Sequence, residues 1–178
     1  MTEISLNILD VAQNSVRADA TLIAIRVEVD TVKDLLTVVI KDDGCGMTKE
    51  QIKKVEDPFF TTRTTRKVGL GVPFFKMAAL SAGGSFEILS TPGEGTTVEA
   101  VFGLSHIDRM PLGDINSTIH TLITMNTHID FVYTYASVSY THLDVYKRQL
   151  WVRMWPVLSV QPSPPEHLWP SSVFIDKR

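Results

Sequence analysis

Two hydrophobic periods alternate along the first hundred residues. In "TEISLNILDVAQNSVRA" the apolar residues Ile4, Ile8, Val11, Ala12 and Val16 recur at helical spacing, while Asp10, Asn14 and Arg17 fall together on the opposite side at i, i+4 and i+7. The spacing predicts an amphipathic helix whose polar side carries a carboxylate, an amide and a guanidinium. The period then drops to two: "TLIAIRVEV" and "LLTVVIK" read as strands joined by the turn-forming "DTVKD". "TKEQIKKVE" is a short helix capped by Thr48, with Glu50 or Gln51 near the position of a capping partner. "VPFFKMAALSA" has a proline in its first turn and Gly83-Gly84 as its stop, which marks a further helix. "SFEILS" and "TTVEAVF" alternate around "TPGEGT" as a hairpin. This order predicts an α+β two-layer sandwich, with helices on one face of a mixed, mostly antiparallel sheet.

Composition adds limits. At 178 residues and 44% hydrophobic, the chain can bury one core with an appendage. A single cysteine rules out a disulfide framework and fits a reducing cytosol. The N-terminus has no basic start, and no segment reaches the roughly 20 apolar residues of a membrane span, so a soluble cytoplasmic protein is expected. The net charge of −3 is spread over mixed signs without a basic stripe, which makes nucleic acid an unlikely partner.

The chain changes character near its end. Trp151, Trp155 and Trp169, all the tryptophans, and five of the nine prolines follow residue 150, in a stretch with neither period. Just before it, codon degeneracy lets Val138 to Gln149, "VSYTHLDVYKRQ", be written as a DNA string that, with the last two bases of a Ser137 codon, is its own reverse complement. The string resembles two copies of a transposase mosaic-end sequencing adapter joined head to head. That resemblance implies that residues 137–178 are a non-native, disordered tail in place of the true C-terminus. The remaining divisions are a core domain at 1–103 and a helical extension at 104–136.

The candidate chemistry starts at "VVIKDDGCGM", where a β-branched strand runs into two aspartates and two glycines. A strand that delivers Asp42 at its end, followed by Gly44 and Gly46, sets a carboxylate beside backbone that a flat ligand can approach closely. A carboxylate accepts hydrogen bonds and so suits an exocyclic amine such as adenine N6. Alone, the motif reads as a turn before it reads as a site.

It is accompanied by others. "LDVAQNSVRADA", "KDDGCGM", "DPFFTTR", "VGLGV" and "GEGTTV", in this order over about residues 3–103, resemble the nucleotide boxes of the GHKL ATPase superfamily of DNA gyrase, the heat-shock chaperone, MutL and histidine kinases. The resemblance implies a Bergerat-type sandwich that binds ATP with Mg²⁺. By position, Asn14 resembles the magnesium-coordinating asparagine and Asp42 the adenine-reading aspartate. Gly44 and Gly46 would admit the base, Gly69 and Gly71 would belong to a lid over the phosphates, and Thr96 would support Asp42.

The residue types agree. Magnesium takes oxygen ligands and keeps several waters, so one amide oxygen from Asn14 together with phosphates is a plausible shell. Arg17, one turn on, can offer a bidentate donor to phosphate or rest as a surface arginine. Arg63, Arg66 and Lys67 lie in a Thr/Gly-rich loop where a triphosphate would give their charge a purpose; the alternative is a solvated loop. Where the superfamily places a glutamate base four residues before the asparagine, this chain has Asp10, one methylene shorter. Asp10 is the candidate catalytic residue, acting directly or through a bridging water. Cys45 is assigned no role.

Residues 104–136 pose a separate question. Ser105, His106, Arg109, Pro111 and Leu112 match the spacing of the phospho-accepting histidine box of sensor kinases, but they follow the nucleotide boxes instead of preceding them. A loop histidine ahead of an amphipathic helix built on Ile115, Ile119, Leu122 and Ile123 is the competing reading. Three functions are therefore expected to compete. The first is slow ATP hydrolysis or phosphorylation of a protein partner, in the manner of small anti-sigma-factor kinases. The others are a non-catalytic ATP-gated interaction switch and a permuted histidine kinase using His106. A homodimer is compatible with each.

Overall fold

The computed structural model describes residues 3–56, 71–138 and 146–152, the last as backbone only. The elements run α1 (Ile4–Arg17), β1 (Leu22–Asp30), β2 (Leu35–Asp42), α2 (Lys49–Glu56), α3 (Gly71–Ser81), β3 (Ser85–Thr91), β4 (Gly95–Gly103), α4 (Ile115–Met125), β5 (Asp130–Val138) and β6 (Tyr146–Val152). The six strands form one sheet in the order β3-β4-β2-β1-β5-β6. Every pairing is antiparallel except β1 with β5. The expected mixed, mostly antiparallel α+β sandwich is present.

One face of this sheet carries the core. Ile23, Ile25 and Val27 of β1, Leu36, Val38 and Ile40 of β2, Ala100 and Phe102 of β4 and Phe131 of β5 pack against Ile4, Ile8 and Val11 of α1, Phe75 of α3 and Leu122 of α4. Phe75 also meets Phe86 edge-on with centroids 6.0 Å apart. The alternation in β1 and β2, broken where Ala24 and Val39 are buried on the other face, explains the register: the pairs Ile25↔Ile40 and Val27↔Val38 put apolar residues on the helix side, and a slip of one residue would turn Arg26 and Lys41 inward.

Local signals hold where the sequence predicts them. Thr48 and Gln51 form a reciprocal cap on α2: the Thr48 amide donates to Gln51 Oε1 at 2.7 Å and the Gln51 amide to Thr48 Oγ1 at 3.3 Å. Gly83, at φ +69°, ends α3.

Val16 packs half-buried against the core on the apolar side of α1, and Ser15 joins Ile8 and Val11 in its fully buried stripe. Two expectations are corrected. The extension at 104–136 is not wholly helical: after α4 it continues as β5, and the alternation of Phe131, Tyr133 and Tyr135 carried that signal. The expected disordered run from residue 137 includes the end of β5 and the whole of β6. The segment between β4 and α4 also returns to the start of α1, whose first-turn amides at Ile4 and Ser5 donate to the Pro111 and Leu112 carbonyls at 3.0 and 2.9 Å.

Candidate nucleotide site

Asp42 ends β2 on the core face, opposite Ile23 and Thr96, and is 7% exposed. Three segments converge on it. The Ser15 hydroxyl, from the last turn of α1, donates to Oδ2 at 2.5 Å. The Gly44 amide donates to Oδ1 at 3.0 Å and the Thr96 amide to the same oxygen at 3.1 Å. A carboxylate offers about four acceptor sites, so capacity remains for one further donor. Thr96 thus supports Asp42 through its backbone; its hydroxyl pairs with Ser90 at 2.9 Å, and Ser90 Oγ accepts the Met47 amide at 2.8 Å. Ser15 is the residue that sequence reasoning missed. Its signal was a polar side chain in line with the apolar stripe of α1.

Asp43, the second of the pair, does different work. It is exposed, and its carboxylate accepts the Thr21 amide and the Leu22 amide, each at 2.8 Å, and the Thr21 hydroxyl at 2.6 Å, which fastens the start of β1 to the end of β2. Burial raises its pKa, but these three donors outweigh that and hold it below the usual carboxylate value.

The two glycines are required by the protein itself. A Cβ on Gly44 would lie 2.8 Å from the Ala18 carbonyl oxygen, and one on Gly46, at φ +66°, would lie 2.0 Å from the Thr91 carbonyl oxygen. Between them Cys45 donates its amide to Ala18 and accepts from the Gly93 amide, both at 2.9 Å. The "GCG" segment is therefore threaded between the end of α1 and the β3-β4 turn, which fixes Asp42 from both sides.

Asp10, Asn14 and Arg17 share a flank of α1 that turns toward α3, not directly away from the core. A Cβ on Gly71, the first residue of α3, would meet Asp10 Cβ at 2.8 Å, so the end of the expected lid abuts the candidate base. Asn14 is half-buried and its Oδ1 accepts from Arg17 Nη1 at 3.3 Å; Arg17 is exposed. Arg63, Arg66, Lys67 and Gly69 lie outside the described residues. Among the described residues no three His, Cys, Asp or Glu side chains converge on a metal. A single amide oxygen suits Mg²⁺, which draws most of its shell from phosphates and water, and Asn14 fits that requirement. The first amides of a helix lack intrahelical partners, so the α3 N-terminus is a suitable neighbour for an anion.

His106 stands elsewhere. Its ring rests against Gly83 at the far end of α3, and its Nδ1 accepts the Asp108 amide at 3.2 Å. The eleven residues of α3 span about 16 Å at the rise of a helix. Along the sheet, β4 runs from Thr96, paired with Asp42, to Gly103, paired with Leu35, about 23 Å at the rise of a strand. His106 follows that distal end.

Known proteins resemble this chain in sequence and in fold. Residues 2–106 match the family described as histidine kinase-, DNA gyrase B-, and HSP90-like ATPase. The chain is 33% identical over 113 residues to the non-motile and phage-resistance protein of Caulobacter vibrioides, covering 60% of this chain and 13% of that protein. It is 29% identical over 99 residues to the signal transduction histidine-protein kinase AtoS of Escherichia coli, covering 55% and 16%. It therefore spans less than a fifth of the length of either. Among solved structures, the N-terminal domain of a DNA repair protein superposes with a TM-score of 0.57 at 15% identity, covering 85% of this chain and 53% of that one; this likeness is one of fold. Among the described residues no helix is long and apolar enough to cross a membrane.

Proposed function

We propose a function on one premise: this chain belongs to the histidine kinase-, DNA gyrase B- and HSP90-like ATPase family. On that premise it binds ATP with Mg²⁺ between the Asp42 strand end and the α1 flank, and it passes the γ-phosphoryl group to water slowly or to a hydroxyl of a partner protein, in the manner of an anti-sigma-factor kinase. The observation that carries the reading is the Asp42 carboxylate, buried, fastened by three donors from separate segments and left with room for one more.

Each residue then has a task. Asp42 accepts from the exocyclic amine of the purine. Asn14 Oδ1 is the protein's ligand to the metal, whose charge neutralises the phosphates when bound. Arg17 donates to a phosphate oxygen. Asp10 takes the proton from the attacking water or hydroxyl as its oxygen bonds to the γ-phosphorus and ADP leaves with the bridging oxygen. A shorter side chain than glutamate is consistent with a slow reaction or with a water between base and nucleophile. Transfer to His106 within one chain is opposed by its position at the distal end of α3.

Incubation of the purified protein with γ-labelled ATP, Mg²⁺ and a native lysate tests this. A labelled partner supports the kinase and released phosphate alone supports the ATPase. ATP binding with neither product would favour the nucleotide-gated switch. Calorimetric titration that detects no binding of ATP would sink all three.

A further inference from the structure

β5 lies inside the sheet, between β1 and β6. It pairs with β1 along its whole length, from Leu22↔Asp130 to Asp30↔Val138. Phe131, Val132, Tyr133 and Ala136 are buried and the rest of the strand is half-buried. Its second neighbour is β6, antiparallel in the register Phe131↔Val152 to Ser137↔Tyr146. The first four residues of β6, Tyr146 to Gln149, lie within the stretch whose coding string can be palindromic.

An adapter-encoded sequence has had no opportunity to be selected for this edge. Strand pairing uses main-chain groups common to every residue but proline, so an unrelated sequence can occupy an edge that demands a partner. The demand is real: a nine-residue strand left open presents a row of unpaired amides and carbonyls, which is a template for aggregation. We propose that the outer edge of β5 is the seat of an antiparallel strand that the protein's own gene encodes after Ala136, and that β6 occupies this seat as a surrogate. The occupant is assigned to the same chain because the junction falls at the end of β5. There a short hairpin connection is the simplest route to an antiparallel neighbour.

The inference rests on the reading of residues 137–178 as a joined foreign tail, and the experiment separates the two. Amplification of the source locus across codons 130–150 should show the frame leaving the palindrome at codon 137 and encoding, within about ten residues, an alternating stretch of strand length. The palindrome found in frame in genomic DNA would overturn the foreign tail, and the inference with it. A natural continuation lacking such a stretch would overturn the strand assignment alone. Hydrogen exchange supplies the second arm: the amides of residues 131–136 should exchange at least tenfold more slowly in the natural chain than in the 178-residue chain. Equal rates would refute the proposal. So would protection that rises with protein concentration, since it would give the edge to a second copy.

Discussion

At the base end of the candidate pocket, every polar group that matters is already held by protein: Asp42 by Ser15, Gly44 and Thr96, and the loop that follows it by Ala18 and Gly93. At the phosphate end, Asp10 and Asn14 are half-buried, Arg17 is exposed, and the hydrogen bond between Arg17 and Asn14 lies at the surface. The first end is preorganised, so its recognition costs little rearrangement on binding. On the proposed function, the second holds the groups that would meet the metal and the phosphates. One end is thus expected to govern affinity and base choice, and the other turnover.

The comparison can be broken most sharply at Asp10. Asp10→Asn should lower the rate of ATP hydrolysis or transfer by about a hundredfold or more and leave ATP affinity by calorimetry within about twofold. An unchanged rate would remove Asp10 from the chemistry. Next in size, Gly46→Ala should destabilise the fold by about 2 kcal/mol or more in denaturant unfolding, from strain at positive φ and the collision with Thr91. A merely weaker ATP affinity with unchanged stability would mean that this glycine serves the ligand and not the fold. Asp42→Asn should weaken ATP binding by about tenfold or more, the loss of one charge-assisted hydrogen bond, and erode the preference for adenine over guanine nucleotides in titration. Retention of both would detach Asp42 from the base.

The smallest effect is one of pH. Asp43 has a folded-state pKa below its ordinary value of 3.8. Its contribution to stability is therefore complete above that value and lost as pH falls through the lower folded value. Acid unfolding should be less steep in this range for Asp43→Asn, while ATP affinity at neutral pH stays unchanged. A binding defect there would show that the two aspartates share a role instead of dividing between ligand and scaffold.

Much of this was legible in advance because it is local. The Thr48-Gln51 cap, the stop at Gly83 and the alternation in β1 and β2 depend on residues a few positions apart. The order of the nucleotide boxes singled out Asp10, Asn14, Asp42 and Gly71 as candidates, and the structure sets Gly71 beside Asp10. β5 escaped because the preceding helix drew the whole extension into one class, although Phe131, Tyr133 and Tyr135 alternate. Ser15 escaped because a serine beside an asparagine on a helix has no distinctive signal until the strand end it meets is known. The glycines were assigned to ligand approach, since the neighbours that exclude a Cβ, Ala18 and Thr91, are distant in sequence.

The amino-acid order by itself determined the elements from α1 to β4, their core faces and the chemical types along the polar flank of α1, because periodicity, capping and turn chemistry act within a few residues. Tertiary structure alone decided which donors surround Asp42 and that Asp43 ties the strands. It also decided that β1 meets β5, where the Thr31 hydroxyl donates to the Val138 carbonyl 107 positions away. The physical reason is that a hydrogen bond or an excluded Cβ depends on which distant segments meet, and that meeting is set by burial of the whole core.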